Sequence, residues 1–138
     1  LGLVDVVDAA GSEIDQGSLL RWLNETMWFP AVWVTDLVQW ESVDEYNAVG
    51  SVTTGDLTVR AKFCFDAEGR LIDFHADRYR DIGEGRFALT RWSTPIREYA
   101  RLGGLRLPAG GAGVWHLPQG DFEYIEIRAL RVEYSTKV

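Results

Sequence analysis

The chain of 138 residues has little of three features that usually reveal a function: cysteine, histidine and long apolar runs. It contains one cysteine and two histidines. These numbers exclude an internal disulfide and a three-histidine zinc centre. No apolar run approaches the roughly 18 to 20 residues of a spanning helix, and no signal-peptide pattern opens the sequence. We therefore expect a soluble protein without a transmembrane segment, and the compartment stays open, with the cytoplasm slightly favoured.

Positive charge is scarce as well. Fourteen Lys and Arg face 21 Asp and Glu, which gives a net charge of −7. An acidic surface repels a polyphosphate backbone, so we expect no nucleic-acid partner. The length fits a single domain over residues 1–138, enough to bury roughly two thirds of the surface of the unfolded chain.

Standard catalytic and metal-binding motifs are missing. The sequence has no Gly-rich phosphate loop, no His-Glu-x-x-His and no Gly-x-Ser-x-Gly. Their absence removes most common hydrolase and redox classes. We accordingly expect no cofactor and no metal site, and the enzyme question stays open, leaning towards a non-enzyme.

One aromatic helix is predicted in a chain that otherwise has the pattern of strands. It covers residues 15–29, with Asp15 as a good N-cap. Pro30 ends this helix and is also suited to open a short second turn through Val34. The apolar stripe consists of Leu19, Leu23 and Met27 and is widened by Leu20 and Trp22.

From residue 38 onward, apolar residues alternate with polar ones, which is typical of strands. The strongest predicted strands cover residues 3–8, 46–52, 57–65, 70–79, 87–92, 95–101, 105–107, 114–117 and 122–134. We expect an α+β, mainly β domain with a strongly curved antiparallel sheet or half-barrel of about eight strands. Helix 15–29 and a short helical turn are expected to pack on its concave side.

Three local features are expected to shape this sheet. Pro108 interrupts a strand. Residues 109–113 carry almost no side chain, which allows either a sharp bend or a close approach to the backbone. The apolar phase of the last strand changes near Ala129, which predicts a bulge there.

No residue is assigned as catalytic, although three are weak candidates. His75 alternates with Asp73 and Asp77 along one strand face, a row that suits either metal binding and acid–base chemistry or a solvated surface. His116 follows Trp115 and is expected either against the core or at the mouth of a cleft.

Glu25 is the third candidate, because it lies on the aromatic helix. Burial between Trp22 and Trp28 would raise its pKa and suit it to general acid or base chemistry. The alternatives are a carboxylate that faces solvent or one that pairs with Arg21.

Aromatic residues supply the ligand-binding candidates. The chain has six tryptophans, a high number for its length. Large rings either line an apolar pocket or fill the space between helix and sheet. The candidate ligand-binding residues are Trp22, Trp28, Phe29, Trp33 and Trp115.

The helix carries a fairly specific motif, Asp-Gln-Gly-x-Leu-Leu-Arg-x-Leu-x-Glu-x-x-Trp-Phe-Pro at residues 15–30. Looser motifs follow at Phe65-Asp66, Arg78-Tyr79-Arg80 and Trp115-His116-Leu117-Pro118. Together they resemble a bacterial family catalogued only as a domain of unknown function. The resemblance implies a longer protein of which residues 1–138 are the carboxy-terminal portion, and it brings no activity. The order of elements is distantly similar to lipoprotein carriers of the LolA and LppX type, half-barrels that hold acyl chains under a helical lid.

These observations leave three hypotheses for function. The leading one is a non-enzymatic domain that binds an apolar or amphipathic, lipid-like small molecule between helix and sheet. The second is a small isomerase, cyclase or hydrolase that uses Glu25 or a histidine in an aromatic pocket. The third is a structural or interaction module that is homodimeric through a sheet edge or aromatic patch, so both a monomer and a homodimer are compatible with the sequence.

Overall fold

The structure is a computed structural model that describes residues 11–135. The predicted strand at residues 3–8 lies outside the described residues. The chain forms helix α1 (Gly11–Glu25) and two short 3₁₀ helices (Thr26–Trp28 and Pro30–Val34). The strands are β1 (Gln39–Ser42), β2 (Asn47–Thr54), β3 (Leu57–Phe65), β4 (Leu71–Gly83), β5 (Arg86–Ser93), β6 (Ile96–Leu102), β7 (Leu105–Leu117) and β8 (Gly120–Arg128). The mainly β prediction with one amino-terminal helix is confirmed.

All eight strands belong to one antiparallel sheet that does not close into a barrel. Its order is β1-β2-β3-β4-β5-β7-β6, and β8 pairs with β7. Strand β7 is long enough to take β5 along one half, where Trp115 pairs with Trp92, and β6 along the other, where Pro108 pairs with Tyr99. In the described part of the chain, no helix is long and apolar enough to cross a membrane.

Helix α1 is confirmed, but its bounds differ from the prediction. It already includes Gly11, so Asp15 lies within the helix, and it ends at Glu25. The Thr26 hydroxyl donates to the Leu23 carbonyl at 2.6 Å, and the Phe29 amide donates to the Thr26 carbonyl at 2.8 Å. These short-range bonds tighten the chain into a 3₁₀ turn before Pro30 is reached.

The helix packs on β3 and β4 and reaches β2. Leu20 and Leu23 from the helix and Phe63 and Phe74 from the sheet are the largest side chains that are fully buried. The predicted stripe is confirmed except at Trp22, which is 38% exposed. Trp22 lies beside this stripe, where the helix turns away from the sheet.

Two sheet predictions are wrong. Strand β7 runs through Pro108 without interruption, because Pro108 faces a register shift between Glu98 and Tyr99, a position that tolerates proline. The bulge near Ala129 is absent, because β8 already ends at Arg128. Instead, the register between β7 and β8 shifts between Gly113 and Val114.

The small residues of β7 allow neighbouring groups to lie close to its backbone. A Cβ atom at Gly111 would lie 2.6 Å from the Pro95 carbonyl oxygen, and one at Gly113 would lie 2.9 Å from the ring of Tyr124. Such distances are too short for any larger residue. The glycines therefore let the Thr94–Pro95 connection and the Tyr124 ring lie directly on β7.

A substitution at Phe63 tests how the helix packs on the sheet. Phe63→Ala should lower the free energy of unfolding by about 3–5 kcal/mol, because it leaves a cavity under the helix. Phe122→Ala is the matched control, since Phe122 is 54% exposed and should cost less than about 1 kcal/mol. Urea unfolding followed by circular dichroism measures both, and equal losses would contradict this packing.

Candidate functional site

An open groove of about 510 Å³ lies between the second half of α1 and strand β8. We call it the central groove. It is lined by Arg21, Asn24, Glu25, Trp28, Arg78, Trp92, Tyr124, Ile125, Glu126, Ile127 and Arg128. The groove is thus a space beside the helix, with rings and isoleucines for walls and charged residues among them.

The space beneath the helix end is filled. The Trp28 indole N–H donates to the Pro108 carbonyl oxygen at 2.8 Å, and the Asn24 amide donates to the Thr94 hydroxyl at 2.7 Å. The cavity left among these residues has a volume of about 20 Å³, room for about one water molecule. A ligand larger than a water molecule therefore has space beside α1 but not beneath its end.

Arg78 lies in the floor of the central groove. Alternation along β4 puts it on the helix side of the sheet, the side of Phe74 and Ala76. Its guanidinium carbon is 4.5 Å from the centroid of the Trp92 ring and 5.9 Å from that of Trp115. This geometry is a cation–π contact with two rings.

Gly17 covers the same guanidinium from the helix side. A Cβ atom at Gly17 would lie 3.3 Å from Arg78 Nε. Such a contact is tighter than ordinary van der Waals packing, so the glycine in the Asp-Gln-Gly motif makes room for the arginine. Arg78 is thereby clamped between the helix backbone and an indole ring.

The charge of Arg78 is not balanced by a carboxylate. Among residues 11–135 it forms no ion pair, and its buried Nε has no hydrogen-bond acceptor. Burial lowers the pKa of the Arg78 guanidinium, and the neighbouring Tyr124 opposes this effect. Arginine nevertheless stays protonated in proteins. The floor of the groove is therefore a partly buried cation that has no carboxylate partner among the described residues.

Two smaller grooves adjoin the central groove. The first, of about 310 Å³, lies along the start of α1, and Arg78 and Tyr124 line it too. The second, of about 380 Å³, lies next to Phe29 and shares Trp28 and Ile127 with the central groove. We call them the first and the last groove. The first and central grooves follow α1, and the last groove continues past its end.

The aromatic candidates separate into different environments. Trp28 lines the central and last grooves, Phe29 lines the last groove, and Trp115 lines the first. Trp33 packs in the core edge-to-face with Phe63, with ring centroids 5.7 Å apart. Trp22 lines none of these three grooves. The structure therefore brings only Trp28 and Phe29 together in one groove, and Trp115 lies in another.

The catalytic candidates do not meet in one cavity. Glu25 lies at the rim of the central groove and pairs with Arg21 at 2.9 Å. His75 and His116 occupy the opposite face of the sheet, since they alternate with Phe74 and Trp115 along their strands. Glu25 is therefore separated from both histidines by the sheet.

The two histidines stack on each other, with ring centroids 6.3 Å apart. His116 lies 2.7 Å from Ser93 Oγ through Nε2 and 2.7 Å from Asp121 through Nδ1. This is the connectivity of a serine hydrolase triad. Ser93, however, is only 2% exposed at the end of β5, so no substrate carbonyl reaches it. The chain of hydrogen bonds instead ties β5, β7 and the start of β8 together.

His75 pairs with Asp73, with Nε2 and Oδ2 3.1 Å apart. Asp77, the other carboxylate of the predicted row, pairs with Arg91 at 2.8 Å. Among residues 11–135, no three His, Cys, Asp or Glu side chains are grouped to hold a metal ion.

Comparison with known proteins assigns a family but no activity. The model of DUF6544, a family of unknown function, matches residues 1–127. The chain belongs to DUF6544. No curated protein and no solved structure matches it. The match includes Gly17, Arg78, Trp92 and Tyr124, so the floor of the central groove lies within the family region.

Sequence reasoning missed the two residues at the centre of the groove, Arg78 and Tyr124. The signal for Arg78 was present, because alternation from Phe74 and Ala76 places it on the apolar face of β4. An arginine at a core-facing position is unusual and merits attention. Tyr124 gave no such signal, because its position beside Trp92 and Trp115 depends on a register shift between β7 and β8.

His75 gives a testable pH dependence. Burial lowers the pKa of its imidazole, and Asp73 opposes only part of that effect. The unfolded chain therefore binds the proton first, so stability is greatest above about pH 6.5 and falls as the pH drops towards the lower folded value. Unfolding measured between about pH 7.5 and 5.5 should show this loss, and His75→Gln should reduce its slope. Identical slopes for the two proteins would contradict the assignment.

Proposed function

We propose that this domain binds a lipid-like, amphipathic small molecule in the central groove. The observation that carries the proposal is the open space beside α1, with Trp28, Trp92 and Ile127 among its walls. Its volume of about 510 Å³ lies within the roughly 300–1,000 Å³ of small-molecule sites. Charged side chains alternate there with rings and isoleucines, a combination that suits an amphipathic ligand.

The shape of the grooves supports an elongated ligand. The central groove continues into the first groove at Arg78 and into the last groove at Trp28 and Ile127. A chain-like molecule along this line would cover apolar surface that is otherwise open to water, at roughly 25 cal/mol for each Å².

The enzyme alternative has less support. Glu25 at the groove rim is engaged by Arg21, and the histidines lie on the other face of the sheet. Glu126, the other carboxylate that lines the groove, is likewise paired, with Arg128 at 3.3 Å. An acid–base mechanism in the groove would therefore depend on carboxylates that are already held in ion pairs.

The homodimer alternative has one observation in its favour. Within residues 11–135, strand β8 pairs with β7 alone, and Phe122 and Ile125 on it are about half exposed. An edge strand with apolar side chains is suited to pair with another chain. Gel filtration at several concentrations tests this alternative, and a monomer throughout would exclude it.

Ligand binding is tested with dodecanol, dodecanoate, a phospholipid and an isoprenoid alcohol. Native mass spectrometry should show one bound molecule, and tryptophan fluorescence should change because Trp28 and Trp92 line the groove. Ile127→Trp should weaken binding about five- to 150-fold, since the added ring would occupy space that the ligand needs, at a cost of about 1–3 kcal/mol.

The matched control is Leu89→Trp. Leu89 is 58% exposed and lies on the face opposite Trp92. Calorimetry is the measurement for both variants, because each adds a fluorophore. Absence of binding by the wild-type chain to the whole panel, or equal binding by both variants, would refute the central groove as the site.

A further inference from the structure

We infer that Arg78 is an anion anchor and that the ligand of the central groove is an amphiphile with a carboxylate or phosphate head and a hydrocarbon tail. This inference rests on the proposed function and adds the chemistry of the head group. It commits the groove to one class of occupant.

The charge of Arg78 is the first reason to expect an anionic ligand. Three arginines line the central groove, and two of them have partners in the protein: Arg21 pairs with Glu25, and Arg128 pairs with Glu126. In the described part of the chain, Arg78 alone of the three has no carboxylate. A partly buried cation loses hydration, and only an opposite charge compensates for it well. An anionic ligand would supply that charge.

The Arg78 guanidinium is also held in a fixed position before a ligand binds. Trp92 supports the guanidinium at 4.5 Å, and Gly17 covers its Nε from above. Because Nε is buried without an acceptor, a ligand would meet the terminal nitrogens. A fixed, planar guanidinium suits the two oxygens of a carboxylate or phosphate and loses little entropy on binding.

A second arginine lies close to Arg78. Arg80 follows Arg78 on the same face of β4 and lines the first groove. Its Nε is also buried without an acceptor, and among residues 11–135 it forms no ion pair. Positive charge is thus concentrated where the central and first grooves meet.

The acidic residues of the first groove are engaged elsewhere. Glu13 accepts a hydrogen bond from the Ser12 hydroxyl at 2.8 Å. Asp81 accepts one from the backbone amide of Gly83 at 2.8 Å. Neither carboxylate therefore neutralises the two arginines through an ion pair.

The polarity of the site gives the ligand a direction. The head would lie at Arg78, next to the Tyr124 hydroxyl, which accepts from the Trp92 indole at 3.0 Å. The tail would follow the central groove past Ile127 and Trp28 towards the last groove. A free inorganic anion would use the arginines but leave these apolar walls uncovered.

The test compares ligands that share a tail and differ in the head. Dodecanoate, dodecyl phosphate, dodecanol and dodecyltrimethylammonium are titrated into the full chain at about pH 8 by calorimetry, below their micelle concentrations. Acetate and inorganic phosphate serve as heads without a tail. We expect the two anionic amphiphiles to bind about ten- to a hundredfold more tightly than dodecanol, the range for hydrogen bonds to a charged group.

Arg78→Met keeps an unbranched side chain on Trp92 and removes the charge. It should abolish the preference for anionic heads over dodecanol. Arg78→Lys, which keeps the charge without the planar fork, should give an intermediate preference and also decides the question if the methionine variant does not fold. The control is Arg91→Met, since Arg91 lies on the opposite face and pairs with Asp77.

The outcomes separate the inference from the proposed function. If dodecanol binds as tightly as dodecanoate, or if Arg78→Met keeps the preference, the anchor is refuted while the groove still binds amphiphiles. If acetate or inorganic phosphate binds as tightly as dodecanoate, the tail contributes nothing and the amphiphile assignment is overturned. If none of the amphiphiles binds, the proposed function and the anchor fall together.

Discussion

A single helix is too narrow to cover the whole sheet, and this constraint determines where the groove lies. A helix with side chains is about 10–12 Å across, and strands lie about 4.8 Å apart, so one helix covers two or three strands. Helix α1 covers β3 and β4 and reaches β2, where Leu20 and Leu23 join Phe63 and Phe74 in one buried cluster. Strand β8 stays outside this contact, and the central groove is the space that results.

Strand β4 changes character along the face that it turns to the helix. Phe74 and Ala76 are buried in the core, whereas Arg78 and Arg80 continue the same face beside the first half of α1. Trp92 makes this position tolerable for a cation, because its ring faces the guanidinium. The groove therefore combines apolar walls with a charged floor, and one alternating strand produces both.

Periodicity predicted the elements well because local burial determines it. Leu19, Leu23 and Met27 are buried at helical spacing, and Val59, Ala61 and Phe63 at strand spacing, as their patterns indicate. The site was harder to predict because it depends on long-range register. Tyr124 stacks on Trp115 because the register between β7 and β8 shifts at Gly113. His116 meets Ser93 and Asp121 because β5 and β8 are the strands that flank this part of β7. Neither follows from local sequence.

The two faces of the sheet show why Arg78, and not the histidine cluster, is the better candidate for recognition. On one face Ser93, His116 and Asp121 satisfy one another at 2.7 Å, so their hydrogen-bonding capacity is used within the protein. On the other face the Arg78 charge has no internal carboxylate among residues 11–135, and it borders an open groove. A satisfied polar group stabilises the fold and offers little to a ligand, whereas an unsatisfied one beside open space gains free energy when a complementary group arrives. The serine of the triad connectivity is therefore buried within the fold, whereas Arg78 presents its charge to an open groove.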